Sequence, residues 1–148
     1  MIGVIRISQL IMPKIRKRSK SISQLKKEAW KLFSEWIRRR DADWRGYVPC
    51  ITCKKIFHYK KLQAGHFIPG RHNAILFHEE LVHPQCYHCN VGLRGNPREY
   101  DRFMREKYGD KKVAEFDKLT KGRCEIKQFT NEELENLIQE LKDKISKL

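Results

Sequence analysis

The pattern of apolar and polar positions predicts a long helix near each end of the chain. Between residues 23 and 40, apolar side chains recur every three or four positions, as they do on the buried face of a helix. Ser23 is a suitable N-cap for this first helix. A second such pattern follows Thr130, which has with Glu133 the spacing of a capping box. We expect the apolar stripe of this last helix to pack on the same chain, with dimerisation through it as the minority hypothesis.

Shorter elements are predicted between these two helices. One helix should run from about residue 97 to 108, with Gly109 as its C′ residue, and another from about 110 to 119. Between residues 47 and 96, glycines and prolines interrupt every longer period, which is typical of short strands and turns. A short helix should begin near Cys89. The candidate strands are residues 55–58, 62–67 and 81–83.

The composition indicates one domain. The chain has 148 residues, of which 40% are hydrophobic and 34% are charged, enough for one modest core. Its mean hydropathy of −0.70, without an apolar run of roughly 20 residues, argues against a membrane span. Arg6 interrupts the apolar run at residues 1–12, so this segment does not resemble a signal peptide. We therefore expect a soluble protein that is not secreted, and Met12 is an alternative start.

The charge of the chain points to a polyanionic partner. Lys and Arg number 32 against 18 Asp and Glu, which gives a net charge of +14 and a pI near 9.8. Clustered cations gain free energy by releasing counterions from phosphates, so DNA is favoured over a charge that serves solubility alone or binds an anionic membrane surface. For residues 38–40, stabilisation of a helix C-terminus is the alternative interpretation. The candidates for phosphate contact are Arg16, Lys17, Arg18, Arg38, Arg39, Arg40, Arg71, Arg94 and Arg98.

Two Cys-x-x-Cys pairs, Cys50/Cys53 and Cys86/Cys89, predict a metal site. Four thiolates can surround one tetrahedral Zn²⁺, and such a site is structural because it leaves no open position. Redox dithiols and disulfides are the alternatives, but a redox pair usually occurs once beside a βαβ pattern, which this sequence lacks. Thirty-two residues separate Cys53 from Cys86, more than a simple zinc ribbon needs. Cys124 remains, and we expect it to be a small core residue.

His66 and Asn90 are candidates for chemistry in the structure between and after the cysteine pairs. His66 lies on a candidate strand, and Asn90 directly follows the second pair. If zinc holds both pairs, it can bring these two side chains into one cleft. The imidazole can then take a proton from water, while the amide oxygen can hold Mg²⁺, which stabilises charge on a scissile phosphate. The alternatives are a buried, hydrogen-bonded histidine and an asparagine that serves a turn.

Three motifs surround these residues: AGHF at 64–67, FHEELVHPQCYHCN at 77–90, and Gly95-Asn96 followed by Tyr100. Together they resemble the phage lambda NinG (Rap) recombination family, and the resemblance extends from about residue 21 to about 109. The family is understood as zinc-containing, structure-specific endonucleases that act on branched recombination intermediates such as Holliday junctions and D-loops. The layout is also similar to that of endonuclease VII, in the HNH or ββα-metal nuclease group.

This resemblance implies an α+β fold with a small zinc-stapled ββα-metal (HNH-like) core flanked by α-helices. Residues 1–20 are expected to form a basic N-terminal arm, disordered when free, and residues 21–148 a single nuclease domain. Within that domain the zinc-bound core should span about 47–109 and the C-terminal helices about 110–148. Zinc binding would supply folding free energy to a segment with few apolar residues.

The resemblance also implies roles and partners. His66 would be the general base, Asn90 the ligand of a catalytic Mg²⁺ or Mn²⁺, and the four paired cysteines the ligands of structural zinc. The implied partners are branched DNA, a second copy of the chain and other phage recombination proteins. The implied location is the cytoplasm of a bacterium that carries the phage or prophage.

Two positions differ from the wider nuclease group. Gly65 stands where many HNH enzymes have an aspartate as a second metal ligand, and Leu81 stands in place of the middle asparagine. Glu79 and His83 are further candidates for metal ligation. These differences sustain an alternative function, a non-catalytic, zinc-ordered DNA-binding accessory module for recombination. A sequence-specific homing or restriction nuclease is less favoured, because 148 residues leave little room for a separate reading domain.

Overall fold

The computed structural model describes residues 19–121 and 127–148. Within these residues, helices flank two small antiparallel sheets, which confirms the expected α+β class. None of the described helices is long and apolar enough to cross a membrane. The elements in chain order are α1 (Ile22–Arg39), β1 (Tyr47–Pro49), β2 (Ile56–His58), a 3-10 turn (Tyr59–Lys61), β3 (Leu62–His66), α2 (Asn73–Leu76), a second 3-10 turn (Glu79–Leu81), β4 (Val82–Cys86), a π-helical turn (His88–Gly92), α3 (Pro97–Tyr108), α4 (Asp110–Lys121) and α5 (Asn131–Ser146).

Capping residues fix where the two long helices begin. α1 begins after Ser21 and not after Ser23, because Gln24 lies three residues beyond Ser21 and completes a capping box with it. Ser21 Oγ accepts a hydrogen bond from the Gln24 backbone N–H at 3.3 Å, and Gln24 Oε1 accepts one from the Ser21 N–H at 2.9 Å. The predicted box of Thr130 and Glu133 caps α5 as expected.

Two antiparallel pairs of strands form the middle of the chain. β1 pairs with β2, and β3 pairs with β4 in a register that sets Gly65 opposite His83. β1 has three residues and is absent from the sequence prediction. β4 was expected at 81–83 but continues through Pro84 to Cys86. A proline is tolerated there because each strand of a two-stranded sheet is paired along one edge only.

α1 and α5 lie against each other, and α1 also covers the β3–β4 sheet. Phe33 and Ile37 of α1, Val82 of β4 and Leu141 of α5 are buried in one cluster. The expectation that the apolar stripe of α5 packs on its own chain is therefore confirmed. A second cluster, which includes Leu81 and Tyr100, joins α3 and α4 to the segments around the same sheet.

Trp44 lies outside the core, and its side chain is 92% exposed. It lies in the loop between α1 and β1, where the carboxylate of Asp43 accepts hydrogen bonds from the backbone N–H groups of Arg45 and Tyr47. These bonds hold the loop outside the core, and the indole faces the guanidinium of Arg45 at 5.4 Å.

Candidate metal centre and adjoining cleft

The four paired cysteines meet at one point. Cys50 and Cys53 lie in the turn that connects β1 to β2, Cys86 ends β4, and Cys89 lies in the π-helical turn. Their Sγ atoms all lie within 4.8 Å of one another. Four cysteine sulfurs at this separation can hold one tetrahedral metal ion, and Zn²⁺ is the ion that prefers such a set. As predicted, the four cysteines are positioned to hold one metal ion.

The pKa values of the cysteines are consistent with metal binding at this site. Burial raises the pKa of Cys50, but hydrogen bonds from the Cys53 and Cys86 backbone N–H groups and from Thr52 outweigh it and bring the pKa to about 6. Burial and the neighbouring Cys50 sulfur raise the pKa of Cys53 to about 12. One thiolate therefore opposes the ionisation of the next. A divalent cation would remove this opposition, because each ligand sulfur binds it as a thiolate.

A cleft of about 310 Å³ adjoins the metal centre. His66 and Asn90 both line it, so the structure brings together the two residues that the sequence singled out for chemistry. Arg71 and Arg94 line the same cleft and give it positive charge. The cleft is therefore suited to an anionic ligand, with one imidazole and one amide within it.

His66 is held in one orientation and one tautomer. Its Nε2 lies 3.3 Å from the backbone carbonyl oxygen of Leu76, and since a carbonyl only accepts, Nε2 carries the proton. The ring stacks on Trp30 with centroids 5.3 Å apart and planes 14° from parallel. Burial lowers the pKa of His66, the Leu76 carbonyl acts against this, and the positive charge of Arg71 adds to it. A neutral imidazole with its lone pair at Nδ1 is a proton acceptor.

Asn90 presents its amide oxygen beside Gly65. Its Nδ2 donates a hydrogen bond to Gln63 Oε1 at 2.8 Å. Its Oδ1 lies 3.0 Å from the position that a Cβ atom on Gly65 would occupy. An uncharged amide oxygen is among the ligands that Mg²⁺ and Mn²⁺ accept, so Asn90 fits the metal-binding role implied for it.

Gly65 leaves no room for the aspartate of the wider nuclease group. A Cβ atom there would lie 2.1 Å from Oε1 of Gln85, far inside van der Waals contact. Gln85 is fully buried on β4 and is a residue that sequence analysis missed. No local sequence pattern distinguishes Gln85. It lies near Gly65 because of the register in which β4 pairs with β3.

His83 lies outside the cleft lining, although the sequence made it a candidate metal ligand. The hydroxyl of Tyr100 donates to the Gly65 carbonyl at 2.8 Å, so it accepts from Nδ1 of His83 at 3.1 Å. Nε2 of His83 then accepts from the hydroxyl of Tyr108 at 3.1 Å. Both ring nitrogens are thus engaged by tyrosines. Burial lowers the pKa of His83 to about 2, so the ring is neutral.

Glu79 and Leu81 also lie away from the cleft. The carboxylate of Glu79 pairs with Lys144 of α5, so the structure does not bring it to His66 and Asn90. Leu81 is fully buried in the hydrophobic cluster that contains Tyr100. At this position an apolar contact supports the segment before β4.

The predicted phosphate contacts fall into two groups. Arg38 donates to the carbonyl oxygens of Ser34, Tyr59 and Leu62. Arg40 donates to those of Glu79 and Val82, and Arg39 pairs with Glu35. The guanidiniums of Arg38 and Arg40 fasten α1 to its surroundings, and that of Arg39 pairs within the helix. Arg71, Arg94 and Arg98 are exposed near the cleft. Four residues named from the sequence lie outside the described residues: Arg16, Lys17, Arg18 and Cys124.

Comparison with known proteins gives one match. The family described as Bacteriophage Lambda NinG protein matches residues 8–148. This range includes all four cysteines of the metal centre and every residue that lines the cleft. No curated protein and no solved structure matches the chain.

Proposed function

The chain belongs to the bacteriophage lambda NinG family, and on that premise we propose that it is an endonuclease that hydrolyses phosphodiester bonds of branched DNA. The observation that carries this proposal is the cleft that His66 and Asn90 share between two arginines. We propose an HNH-like core, in which β3, β4 and the π-helical turn correspond to the two strands and the helix. The branched substrates would be recombination intermediates, Holliday junctions and D-loops.

His66 is the proposed general base. Its Nδ1 lone pair would accept a proton from the water that attacks phosphorus. The Leu76 carbonyl holds the proton on Nε2, and Trp30 fixes the plane of the ring, so Nδ1 need not reorient before the transfer. The same carbonyl stabilises the imidazolium that the transfer forms, because it accepts a charged hydrogen bond.

Asn90 is the proposed ligand of the catalytic ion through Oδ1. A bound Mg²⁺ or Mn²⁺ would supply stabilisation of the negative charge that develops on the phosphate and the leaving oxygen. The zinc of the four-cysteine site has no open position and would act structurally. It would join the β1–β2 hairpin to β4 and to the turn that carries Asn90, and so hold Asn90 beside His66.

The DNA would be held by positive charge. Arg71 and Arg94 line the cleft and Arg98 lies in the first turn of α3, so these residues are suited to orient phosphates on either side of the scissile bond. The basic arm at residues 1–20 would add contacts that do not depend on sequence. Two symmetric cuts across a junction require two active sites, so we propose a homodimer. Other phage recombination proteins in the cytoplasm of the bacterial host are proposed as further partners.

The test is cleavage of an end-labelled four-way junction beside its matched linear duplex, with Mg²⁺ and with Mn²⁺. His66→Ala is compared with His72→Ala, because the His72 side chain is exposed and makes no capping hydrogen bond. We expect junction cleavage by the wild type and by His72→Ala, and a loss of at least about 100-fold in His66→Ala. Junction binding should survive in both variants.

Other outcomes would change the proposal in defined ways. Cleavage by His66→Ala at the wild-type rate would show that His66 is not the general base. Equal cleavage of junction and duplex would retain the chemistry and discard the preference for branched DNA. Salt-sensitive binding without cleavage by the wild type would instead support the non-catalytic accessory module, for which the missing carboxylate at Gly65 is the favouring observation.

A further inference from the structure

Gln85 carries an amide oxygen for which the described part of the chain supplies no partner. The residue is fully buried, and its Nε2 donates to the carbonyl oxygen of Gly95 at 2.9 Å and to Thr52 Oγ1 at 3.3 Å. The Gly95 carbonyl fixes the amide orientation, because a rotated amide would direct oxygen at oxygen. Within residues 19–121 and 127–148, Oε1 has no hydrogen-bond partner. A buried acceptor in this state is costly unless something else binds it.

The amide oxygens of Gln85 and Asn90 lie close to the same point beside Gly65. The Cβ position of Gly65 lies 2.1 Å from Gln85 Oε1 and 3.0 Å from Asn90 Oδ1. The two oxygens are therefore separated by no more than about 5 Å. Ligand oxygens lie about 2.1 Å from Mg²⁺, so two of them on one ion can be up to about 4 Å apart. The separation in this protein is compatible with one shared cation after a small adjustment.

We infer that Gln85, which is buried beside Asn90 and does not itself line the cleft, is the second protein ligand of the divalent cation that Asn90 would hold. This inference rests on the proposed endonuclease function. Gln85 Oε1 would take the place of the aspartate carboxylate that many HNH enzymes have at the position of Gly65. The glycine is then required for the ligand itself, because any side chain on Gly65 would displace the Gln85 amide. The oxygen comes from the neighbouring strand β4 instead of from β3.

A site with two neutral amides has a consequence for binding. Neither Gln85 nor Asn90 offsets the charge of the ion, so the affinity of the protein alone should be weaker than that of a carboxylate site. Phosphate oxygens of the DNA would supply the missing negative charge. Cation and DNA should therefore bind cooperatively, each increasing the affinity for the other.

The test measures Mn²⁺ binding to the zinc-loaded protein without DNA, from the electron paramagnetic resonance signal of free Mn²⁺. Gln85→Ala should weaken binding by at least roughly tenfold, as Asn90→Ala should. In the double variant Gly65→Asp with Gln85→Ala, the smaller side chain makes room for a carboxylate. We expect this double variant to recover wild-type affinity or exceed it. Zinc content and circular dichroism confirm that each variant is folded.

The outcomes separate this inference from the endonuclease proposal. Wild-type Mn²⁺ affinity in Gln85→Ala, beside a loss in Asn90→Ala, would make Gln85 a structural brace and overturn the inference while leaving His66-dependent cleavage intact. Lower affinity in Gln85→Ala with recovery in the double variant would support the ligand even if the wild type cut no DNA. If Gln85→Ala loses zinc, Gln85→Met decides, because it keeps most of the side-chain volume without an amide oxygen. Mn²⁺ binding should weaken in this variant while zinc is retained, and unchanged Mn²⁺ affinity would refute the inference.

Discussion

Replacement of His83 should remove a specific part of the pH dependence of stability. The imidazole is buried between Tyr100 and Tyr108, and burial, followed by the positive charges of Arg40 and Lys107, lowers its pKa to about 2. In the unfolded chain a histidine has a pKa of about 6.5. As the pH falls below that value, the unfolded chain binds a proton that the folded protein does not bind. The stability that His83 contributes is therefore complete above about pH 6.5 and is lost as the pH falls from there towards about 2.

The size of the effect follows from the two pKa values. Each pH unit between them costs about 1.36 kcal/mol of unfolding free energy. At about pH 5.5 the folded protein still binds no proton at His83, so the loss relative to about pH 7.5 is about 1.4 kcal/mol. The measurement should be made at this moderately acidic pH with zinc in excess, because protons compete with the ion for the cysteine ligands.

The assay is urea unfolding of wild type and His83→Gln at both pH values, with zinc present. Between the two pH values, the variant should lose about 1.4 kcal/mol less unfolding free energy than the wild type. His72→Gln is the control, because the His72 side chain is exposed and its environment changes little on unfolding. An equal pH dependence in wild type and His83→Gln would refute the reasoning, since it would mean that His83 is protonated alike in both states.

Three further predictions concern stability. Removal of zinc with a chelator should unfold the β1–β2 hairpin and the turn after β4, and unchanged circular dichroism after complete removal would contradict this. Thr130→Ala should cost about 1 kcal/mol in urea unfolding through loss of the α5 cap, whereas Ser146→Ala, at the other end of the helix, should cost less. Leu141→Ala should cost about 2–5 kcal/mol because the side chain is 1% exposed, and a loss below about 1 kcal/mol would show that the α1–α5 contact is loose.

Short-range signals in the sequence predicted the parts of the fold that depend on neighbours along the chain. The spacing of Thr130 and Glu133 located the start of α5, and the 3.6-residue period identified its buried face. The two cysteine pairs predicted a metal centre because each pair is local and one ion can join them. Asn90 directly follows the second cysteine pair, and the sequence-based expectation that one cleft could hold both Asn90 and His66 agrees with the lining of that cleft.

Features that depend on strand register or on helix packing could not be predicted in this way. Arg38 and Arg40 have the sequence signature of phosphate contacts, but their partners are carbonyl groups that only the packing of α1 on the sheet brings near. Gln85 has no signature, because its relation to Gly65 arises across two strands separated by about 20 residues. The same holds for His83, whose tyrosine partners come from α3.

The contact between α1 and α5 sets the stage of synthesis at which the packing around β4 is completed. Val82, on the strand next to β3, is covered by Leu141 as well as by Phe33. α5 is the last of the described elements to leave the ribosome, so this surface stays uncovered while the chain is still being made. We expect the cleft to become rigid only after synthesis of α5. Until then, the apolar face of α1 is exposed and open to a chaperone.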